Sequence, residues 1–465
     1  MFLRRLRLKN LRSIAELDMQ FVQSSGDVRP WTFVLGENGA GKSTILRALA
    51  LVTAGGEALP EIIGDPDTWI RVGSDAATIE LDYATAENQP RYAQLILRRG
   101  EGIRKLLEAN AQTLEQIDAA LAHATRNYFV VGYGVSRRRS AEPISWSGMA
   151  GSYRNNRSQS VATLFSPDAT LVSIEQWALD LDYRRGAQGL RPVRKALDTL
   201  LADAKFDSID KERRQLLFQT PDGILPLSQL SDGYQAMTAW CGDVLFRITE
   251  TFADRTDPLG ARGVLLIDEL DLHLHPIWQR QLVSFIKRTL PNFQVVATTH
   301  SPLTVHQAEE GELFVLKRTD RANAASSLTQ FEGAPNRLML HQLIQSPIFG
   351  LETLDSPQVA SLRRELRSLR GITEVAPDDG GLSVAAEPKA SSRPASQTTR
   401  SKRMKQIESE LASVPTWSEV PEYMQSTNNL LRQISAELTS SSGSAPVSKR
   451  STKSRRSDAG NGGES

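Results

Sequence analysis

The chain has 465 residues, 40% of them hydrophobic, and a formal net charge of +1. This hydrophobic share is enough for a sizeable core, and no run of residues approaches the roughly 18–20 apolar residues that a membrane-spanning helix needs. The N-terminal residues lack the apolar core of a signal peptide, and the one cysteine, Cys241, excludes an internal disulfide. We therefore expect a cytoplasmic protein with no membrane partner, of a length that allows two or three domains.

Residues 1–135 predict the first part of an α/β domain. Alternating basic and apolar side chains at Leu3–Leu8 predict a half-buried strand that opens a β-hairpin. The apolar run Trp31–Leu35 predicts a strand, and Ile45–Val52 predicts a helix behind a glycine-rich turn. The remaining predicted elements are strands over 76–83 and 91–99, a helix over Leu106–Ala124 and a strand over Tyr128–Val135.

Residues 136–226 predict an insert in this domain. Ser136–Ser160 is rich in Arg, Ser, Asn and Gly, which is typical of a mobile loop. Helical spacing of apolar residues follows at Ile174–Tyr183 and at Arg191–Ala204. The insert is therefore expected to be a mobile loop followed by helices.

Residues 227–371 predict the second part of the α/β domain. Strands and helices alternate here, and that order argues for a largely parallel sheet covered on both faces. The predicted elements are a helix over Tyr234–Phe252, a strand over Gly263–Ile267, a helix over Ile277–Thr289 and strands over Gln294–Thr298 and Leu313–Leu316.

Residues 372–465 differ in composition from the rest of the chain. Residues 372–400 have the Ala, Ser, Pro and Gly content of a linker. Lys402–Leu438 has partly helical spacing broken by two prolines, and Thr439–Ser465 is Ser-rich, Gly-rich and basic, which predicts a disordered tail.

The segment Gly-Glu-Asn-Gly-Ala-Gly-Lys-Ser-Thr at residues 36–44, here called the P-loop, predicts a nucleotide site. It fits G-x-x-x-x-G-K-[ST] and lies between a predicted strand and a predicted helix. Backbone N–H groups and the helix dipole would face phosphates, Lys42 would reach the outer phosphates, and the Ser43 hydroxyl would bind Mg²⁺. The predicted ligand is ATP or GTP, bound by Asn38, Gly39, Ala40, Gly41, Lys42, Ser43 and Thr44.

A second site element ends the predicted strand Gly263–Ile267. Asp268 is placed to hold Mg²⁺ through water beside Ser43, and Glu269 is placed to orient and deprotonate an attacking water. Acids often end strands at loops for no catalytic reason, but their coupling to a P-loop favours the catalytic interpretation.

A third element, Leu230–Gln235, leads directly into a predicted helix and is here called the signature-like segment. Ser231, Asp232 and Gly233 could simply cap that helix. Their distance of about 35 residues from the Asp-Glu pair is similar, however, to that of the LSGGQ-like element of ABC-type ATPases. That resemblance implies contact with the γ-phosphate of ATP held by a second subunit.

A fourth element is His300, which follows a predicted strand about 30 residues after the Asp-Glu pair. An isolated histidine there would usually be a surface or capping residue. In this order it suits a histidine that contacts the γ-phosphate and steadies the water. Asp271, just past Glu269, is expected where two subunits meet.

The four elements in this order resemble the ABC-type ATPase heads related to SMC and RecF proteins. More closely they resemble the bacterial AAA-type group called "ATP-binding protein involved in virulence" and the ATPases of Septu-like anti-phage systems. Leu272–Pro276, Tyr133–Arg137 and Lys9–Ser13 carry the closer resemblance, which covers about residues 1–320. It implies an α/β head of the P-loop class with an N-terminal basic residue, Arg12, near the nucleotide.

The chain departs from the pattern of transporter ATPases. No Q-loop glutamine is identified, since Gln94 lies in a predicted strand, and Tyr133–Arg137 is the alternative segment for that region. Almost 190 residues separate the P-loop from Ser231, too few for long coiled-coil arms. A compact insert is therefore expected.

The resemblance implies a nucleotide-gated regulator. Two heads would close around two ATP molecules, each between Lys42 of one chain and Ser231–Gly233 of the other, and hydrolysis through Glu269 and His300 would reopen them. It also implies a separately encoded effector, such as an HNH-type nuclease, in anti-phage defence or DNA maintenance.

Three alternatives remain open at the level of sequence. An OLD-like ATPase fused to its own nuclease would need clustered carboxylates for two metals, which the C-terminal third does not offer. The missing Q-loop and the insert speak against a transporter ATPase. A scaffold that uses ATP only to dimerise would not need Glu269.

Two basic segments predict optional contacts with nucleic acid. Arg137–Arg139 with Arg154 and Arg157, in the loop 137–157, could contact phosphates, although a solvated loop would look the same. The basic C-terminal tail could tether nucleic acid or could simply keep the chain soluble.

Overall fold

The computed structural model describes the following residues, and all structural statements below refer to them. They are 1–23, 25–85, 89–122, 129–139, 153, 155–201, 204–253, 255, 257–272, 274–320, 325–349, 351, 355–370 and 397–412. The chain divides into one unit over residues 1–354 and a second that begins at Asp355.

Fifteen strands lie in the described residues. They are β1 (Phe2–Leu11), β2 (Ile14–Gln20), β3 (Trp31–Gly36), β4 (Ala76–Ala84), β5 (Pro90–Arg98), β6 (Val130–Tyr133), β7 (Arg138–Arg139), β8 (Thr170–Leu171), β9 (Lys205–Asp210), β10 (Gln215–Thr220), β11 (Gly223–Pro226), β12 (Gly263–Ile267), β13 (Phe293–Thr299), β14 (Leu313–Asp320) and β15 (Ala325–Gln330).

The described residues also form twelve α-helices. They are α1 (Lys42–Val52), α2 (Gly55–Ile62), α3 (Ile103–Ala109), α4 (Ala111–Ala122), α5 (Asn156–Phe165), α6 (Ile174–Leu200), α7 (Asp232–Thr251), α8 (Pro276–Thr289), α9 (Pro302–Val305), α10 (Leu340–Ile344), α11 (Pro357–Arg370) and α12 (Gln397–Ala412). None of them is both long and apolar enough to cross a bilayer.

The first unit contains a six-stranded sheet with the strand order β15-β14-β3-β13-β12-β6. All neighbours are parallel except β14 and β15. Every residue of β12 and β13 is buried, as expected for strands covered by helices on both faces. The largely parallel, doubly covered sheet is therefore confirmed.

An antiparallel sheet of β2-β1-β4-β5 forms a second layer. Helix α1 contacts strands of both sheets, and its apolar side chains join one core with those of β1 and β4. The buried Gln294 amide on β13 accepts a hydrogen bond from Leu3 N and donates one to Leu3 O, at 2.7 and 3.1 Å, respectively. The predicted opening hairpin therefore packs against the back of the P-loop helix.

The predicted insert contains α5 and α6 and also a three-stranded antiparallel sheet of β11-β10-β9. The two helices predicted over 174–204 lie within α6, whose backbone is non-helical at Gly186, between them, where φ is 60°. Helix α6 contacts α7 and buries Trp177 and Leu181 in the main core. The insert is thus a compact part of the head, as its length predicted.

The second unit is described over 355–370 and 397–412, where α11 and α12 contact each other. Arg403 donates to both carboxylate oxygens of Glu365, at 2.7 and 2.9 Å. Helix α12 covers the start of the predicted Lys402–Leu438 helical region. The remainder of that region, most of the predicted linker and the predicted tail lie outside the described residues.

Candidate nucleotide site

The P-loop runs from the end of β3 into the start of α1. Gly39 and Gly41 have φ values of 76° and 113°, a left-handed conformation that glycine adopts without a Cβ clash. A methyl group on Gly39 would meet nothing within 4 Å, so the space over the loop is open. The loop therefore presents backbone N–H groups and a helix N-terminus to an open cradle, the geometry that suits a phosphate chain.

Lys42 is the first residue of α1 and is only 6% exposed. Its Nζ donates to the carbonyl oxygens of Gly36 and Glu37, at 2.8 and 3.0 Å, which places the ammonium over the loop. Burial lowers the pKa of Lys42, whereas the nearby charges of Asp268 and Glu269 raise it. The ammonium therefore lies within electrostatic range of both predicted acids.

The residues Asp268–Asp271, here called the Asp-Glu turn, follow β12 directly. The Thr298 hydroxyl joins the two acids, since it donates to Asp268 Oδ1 at 2.7 Å and accepts from Glu269 N at 2.8 Å. Glu269 has a φ of 51°, which is uncommon for a non-glycine residue. The turn is thus fixed by the neighbouring strand β13, where Thr298 is fully buried.

His300 follows β13 and lies near the same acids. Burial and then the charge of Lys42 lower the pKa of His300, so the neutral imidazole predominates at pH 7. Asp271 accepts a hydrogen bond from the Thr299 hydroxyl, one residue before His300. The structure therefore brings Lys42, Asp268, Glu269, Asp271 and His300 together.

The signature-like segment begins the 20-residue helix α7, with Ser231 as its N-cap. Ser231 and Asp232 are exposed, and the Ser231 side chain makes no capping hydrogen bond. A methyl group on Gly233 would meet nothing within 4 Å. In the described residues, no hydrogen bond or ion pair joins Ser231, Asp232 or Gly233 to the P-loop or to the Asp-Glu turn.

Arg12 lies in the turn between β1 and β2, with a φ of 50°. Its guanidinium lies 3.7 Å from the centroid of the Trp69 ring, and burial followed by the charge of Arg47 lowers its pKa to about 10. A methyl group on Gly41 would lie 3.1 Å from Ser13 Oγ, so this turn packs against the P-loop. The turn that carries Arg12 thus lies beside the loop, and contact of Arg12 with the nucleotide stays a prediction.

Two of the five arginines predicted to contact nucleic acid make hydrogen bonds within the head. Arg137 donates to the carbonyl oxygens of Asp268 and Glu269. Arg157 donates to Asp118 and to Ala54 O, at 2.7 and 2.8 Å. Their contact with nucleic acid stays a prediction, and the internal partners of both were missed because arginine in a polar stretch gives no sequence signal that separates a free cation from one bonded across the fold. Arg154 and the side chains of Arg138 and Arg139 lie outside the description.

Gln94 lies in β5, within the strand predicted for it, and donates a hydrogen bond to Glu80 on β4. The segment after β6 instead approaches the Asp-Glu turn through Arg137. Sequence reasoning also missed Thr298, whose role depends on two strands lying side by side.

The oxygen donors present suit Mg²⁺. Ser43 supplies a hydroxyl and Asp268 a carboxylate, and Mg²⁺ in phosphate sites typically uses one or two such protein ligands with water and phosphate oxygens. No group of three or more His, Cys, Asp and Glu side chains that could hold a metal occurs among the residues described.

Two family models match consecutive parts of the chain. One is described as "AAA domain" and matches residues 5–140, which include the P-loop. The other is described as "AAA domain, putative AbiEii toxin, Type IV TA system" and matches residues 154–306, which include the signature-like segment, the Asp-Glu turn and His300. The sheet and the P-loop give the chain the fold of a P-loop ATPase head, and over these two ranges the chain is similar to AAA domains.

The chain is similar to named ATPases and to Septu proteins. It is 28% identical over 351 residues to the Septu protein PtuA of Bacillus mycoides (strain KBAB4), covering 75% of this chain and 45% of that protein. It is 26% identical over 191 residues to the retron Ec83 probable ATPase of Escherichia coli, covering 41% of this chain and 35% of that protein. The chain thus spans less than half the length of these curated relatives.

Solved SMC heads also align with the chain. The SMC head domain from Thermotoga maritima covers 71% of this chain and 100% of its own, at 16% identity and a TM-score of 0.38. An SMC head bound to the C-winged helix domain of ScpA covers 71% of this chain and 98% of its own, at 15% identity and a TM-score of 0.42.

Thr298→Val tests the role of the bridging hydroxyl. The change keeps the shape but leaves an Asp268 oxygen and Glu269 N without a partner, so we expect a loss of about 1–3 kcal/mol in the free energy of unfolding, measured by urea denaturation.

Thr32→Val is the matched control, because Thr32 is equally buried on β3 and its hydroxyl has no hydrogen-bond partner among the described residues. It should change the unfolding free energy by less than about 0.5 kcal/mol or stabilise the protein. Equal losses in the two variants would show that the Thr298 hydroxyl does not organise the turn.

Proposed function

We propose that this chain binds ATP with Mg²⁺ and hydrolyses it to ADP and phosphate. The proposal rests on one observation: the P-loop lysine, two acids and a histidine lie together at one edge of the sheet. Lys42, Asp268, Glu269 and His300 come from three separate loops, and their charges act on one another. Such a set fits phosphoryl transfer to water.

Each residue has a role in this mechanism. The P-loop N–H groups from Asn38 to Thr44 and the Lys42 ammonium bind and orient the phosphates. Ser43 and Asp268 would hold Mg²⁺, which neutralises phosphate charge when bound. Glu269 orients the attacking water and takes its proton, and neutral His300 contacts the γ-phosphate.

We further propose that two heads share each ATP. Ser231, Asp232 and Gly233 present an exposed N-terminus of a long helix, which favours anions through its dipole and its unpaired N–H groups. In a closed dimer this helix end would contact the γ-phosphate bound to the other chain. Asp271 would lie at the same boundary, and Arg12 would contact nucleotide within its own chain.

Mixing two inactive variants tests the shared site. Lys42→Ala removes the phosphate contact in its own chain, and Ser231→Arg blocks the contact that a chain offers to its partner. Each variant alone should lose hydrolysis. In an equal mixture, half of the dimers would be mixed and each would hold one intact site, so about a quarter of wild-type phosphate release should return.

Phosphate release that stays at the level of the separate variants would contradict a shared site, provided that size-exclusion chromatography shows subunit exchange. Lys42→Ala mixed with Glu269→Gln provides the control, because both defects lie on the same side of each site. This pair should regain no hydrolysis, because each site of a mixed dimer still carries one of the two defects.

We also propose that the ATPase controls a separately encoded effector, a nuclease, in anti-phage defence. The similarity to a Septu protein and to retron ATPases supports this part of the proposal. Within the described residues the head offers an ATP site and no carboxylate cluster that could hold two metals. Contact with nucleic acid through the loop 137–157 or the tail remains a subsidiary proposal.

Phage plating tests the defence role. Cells that carry the native locus should resist phage, and Lys42→Ala should remove the resistance because the head could no longer respond to ATP. Lys105→Ala changes an exposed lysine on α3 and should leave resistance intact. Deletion of an adjacent nuclease gene should abolish resistance; full protection by this chain alone would contradict a separate effector.

A further inference from the structure

Arg137 holds the backbone of the two predicted catalytic acids. Its Nη2 donates to Asp268 O at 2.8 Å and to Glu269 O at 2.7 Å, and its Nε donates to Gly134 O at 3.3 Å. The guanidinium carbon lies 5.5 Å from the centroid of the Trp240 ring. Arg137 therefore joins Gly134, directly after β6, to the Asp-Glu turn, which begins 131 residues further along the chain.

The Asp-Glu turn needs such a partner because its backbone leaves the regular sheet. Glu269 is in the left-handed region, with φ at 51°, a conformation that the surrounding structure must enforce. Burial lowers the pKa of Arg137 to about 10, so the guanidinium still carries its charge at neutral pH. Hydrogen bonds from a charged donor are stronger than neutral ones, which suits a strained turn.

The segment that carries Arg137 is itself tied to the signature-like helix. Strand β7, directly after Arg137, pairs with β8, and Val172 N just beyond β8 donates to Asp243 Oδ1 at 2.9 Å. Asp243 lies on α7 and is fully buried. Its other oxygen accepts from the Tyr133 hydroxyl at 2.6 Å and from Arg247 Nε at 2.6 Å.

These contacts close a ring. Tyr133 ends β6 and accepts a hydrogen bond at its carbonyl oxygen from Asp268 N, at 2.8 Å. The ring therefore runs from the Asp-Glu turn through Arg137, β7 and β8 to Asp243 on α7, and returns through Tyr133. A shift of α7 would move the support of Glu269.

We propose that Arg137 is a positioning residue that sets the Glu269 carboxylate, and that the Asp243 contacts make its position depend on helix α7. The catalytic role of Arg137 rests on the proposed function, because that function takes Glu269 as the base. Contact of the α7 N-terminus with a partner-bound phosphate would then be relayed to the residue that activates water.

Hydrogen–deuterium exchange tests the positioning without ATP. In Arg137→Met the turn loses both charged hydrogen bonds, so amides in the peptide 266–272 should exchange at least about tenfold faster. Arg29→Met is the matched control, because Arg29 likewise donates to two backbone carbonyls, Gln20 O and Val22 O, and is buried. It should leave the exchange of 266–272 unchanged.

Kinetics then test the catalytic consequence. Arg137→Met should lower kcat by between about 10- and 100-fold while the ATP dissociation constant changes less than about threefold. Arg137→Lys keeps the charge but lacks the planar fork, and it should give intermediate values for exchange and kcat. It also serves as the second variant if Arg137→Met does not fold.

A double variant separates positioning from general structural damage. If Arg137 acts through Glu269, adding Arg137→Met to Glu269→Gln should cause no further loss of kcat. Additive losses, or unchanged exchange at 266–272, would overturn the inference. If the wild-type protein does not hydrolyse ATP, the proposed function and the catalytic role of Arg137 are both overturned. The exchange measurement would still decide whether Arg137 holds the turn.

Discussion

The register of three parallel strands is the constraint on which the candidate site depends. Leu35 pairs with Thr299 and Ala297 with Ile267, so β3, β13 and β12 end within two residues of one another. Their loops leave from one edge of the sheet, where ligands bind in open α/β folds. A slip of one residue in β12 or β13 would send Asp268 or Thr298 to the other face.

Buried polar contacts fix this edge more tightly than apolar packing alone would. Thr298 joins the two acids, Arg137 holds their carbonyl oxygens, and Asp243 receives hydrogen bonds from Tyr133, Val172 and Arg247. Removing one partner of a buried ion pair usually costs several kcal/mol, so such a network admits few alternative arrangements. Glu269 keeps its strained backbone conformation only because contacts of this kind hold it.

Sequence patterns predicted the parts of the fold that are local. The strand Gly263–Ile267 was predicted with the bounds it has, because five apolar residues end abruptly at two acids. The break in α6 at Gly186 falls between the two helices that were predicted, whereas the small sheet β9–β11 was not predicted. For Arg137 the sequence left nucleic-acid contact and a solvated loop open and gave neither of its partners, because only the folded chain brings it to residues 131 positions away.

Light scattering on wild type and Glu269→Gln, with and without Mg-ATP, measures whether ATP joins two heads. ATP binding is expected to close two heads, and hydrolysis is expected to reopen them. Glu269→Gln should therefore double its mass stably when Mg-ATP is added, and adding Ser231→Arg should abolish the doubling. An unchanged mass for Glu269→Gln, with ATP shown to be bound, would show that the heads do not close around ATP.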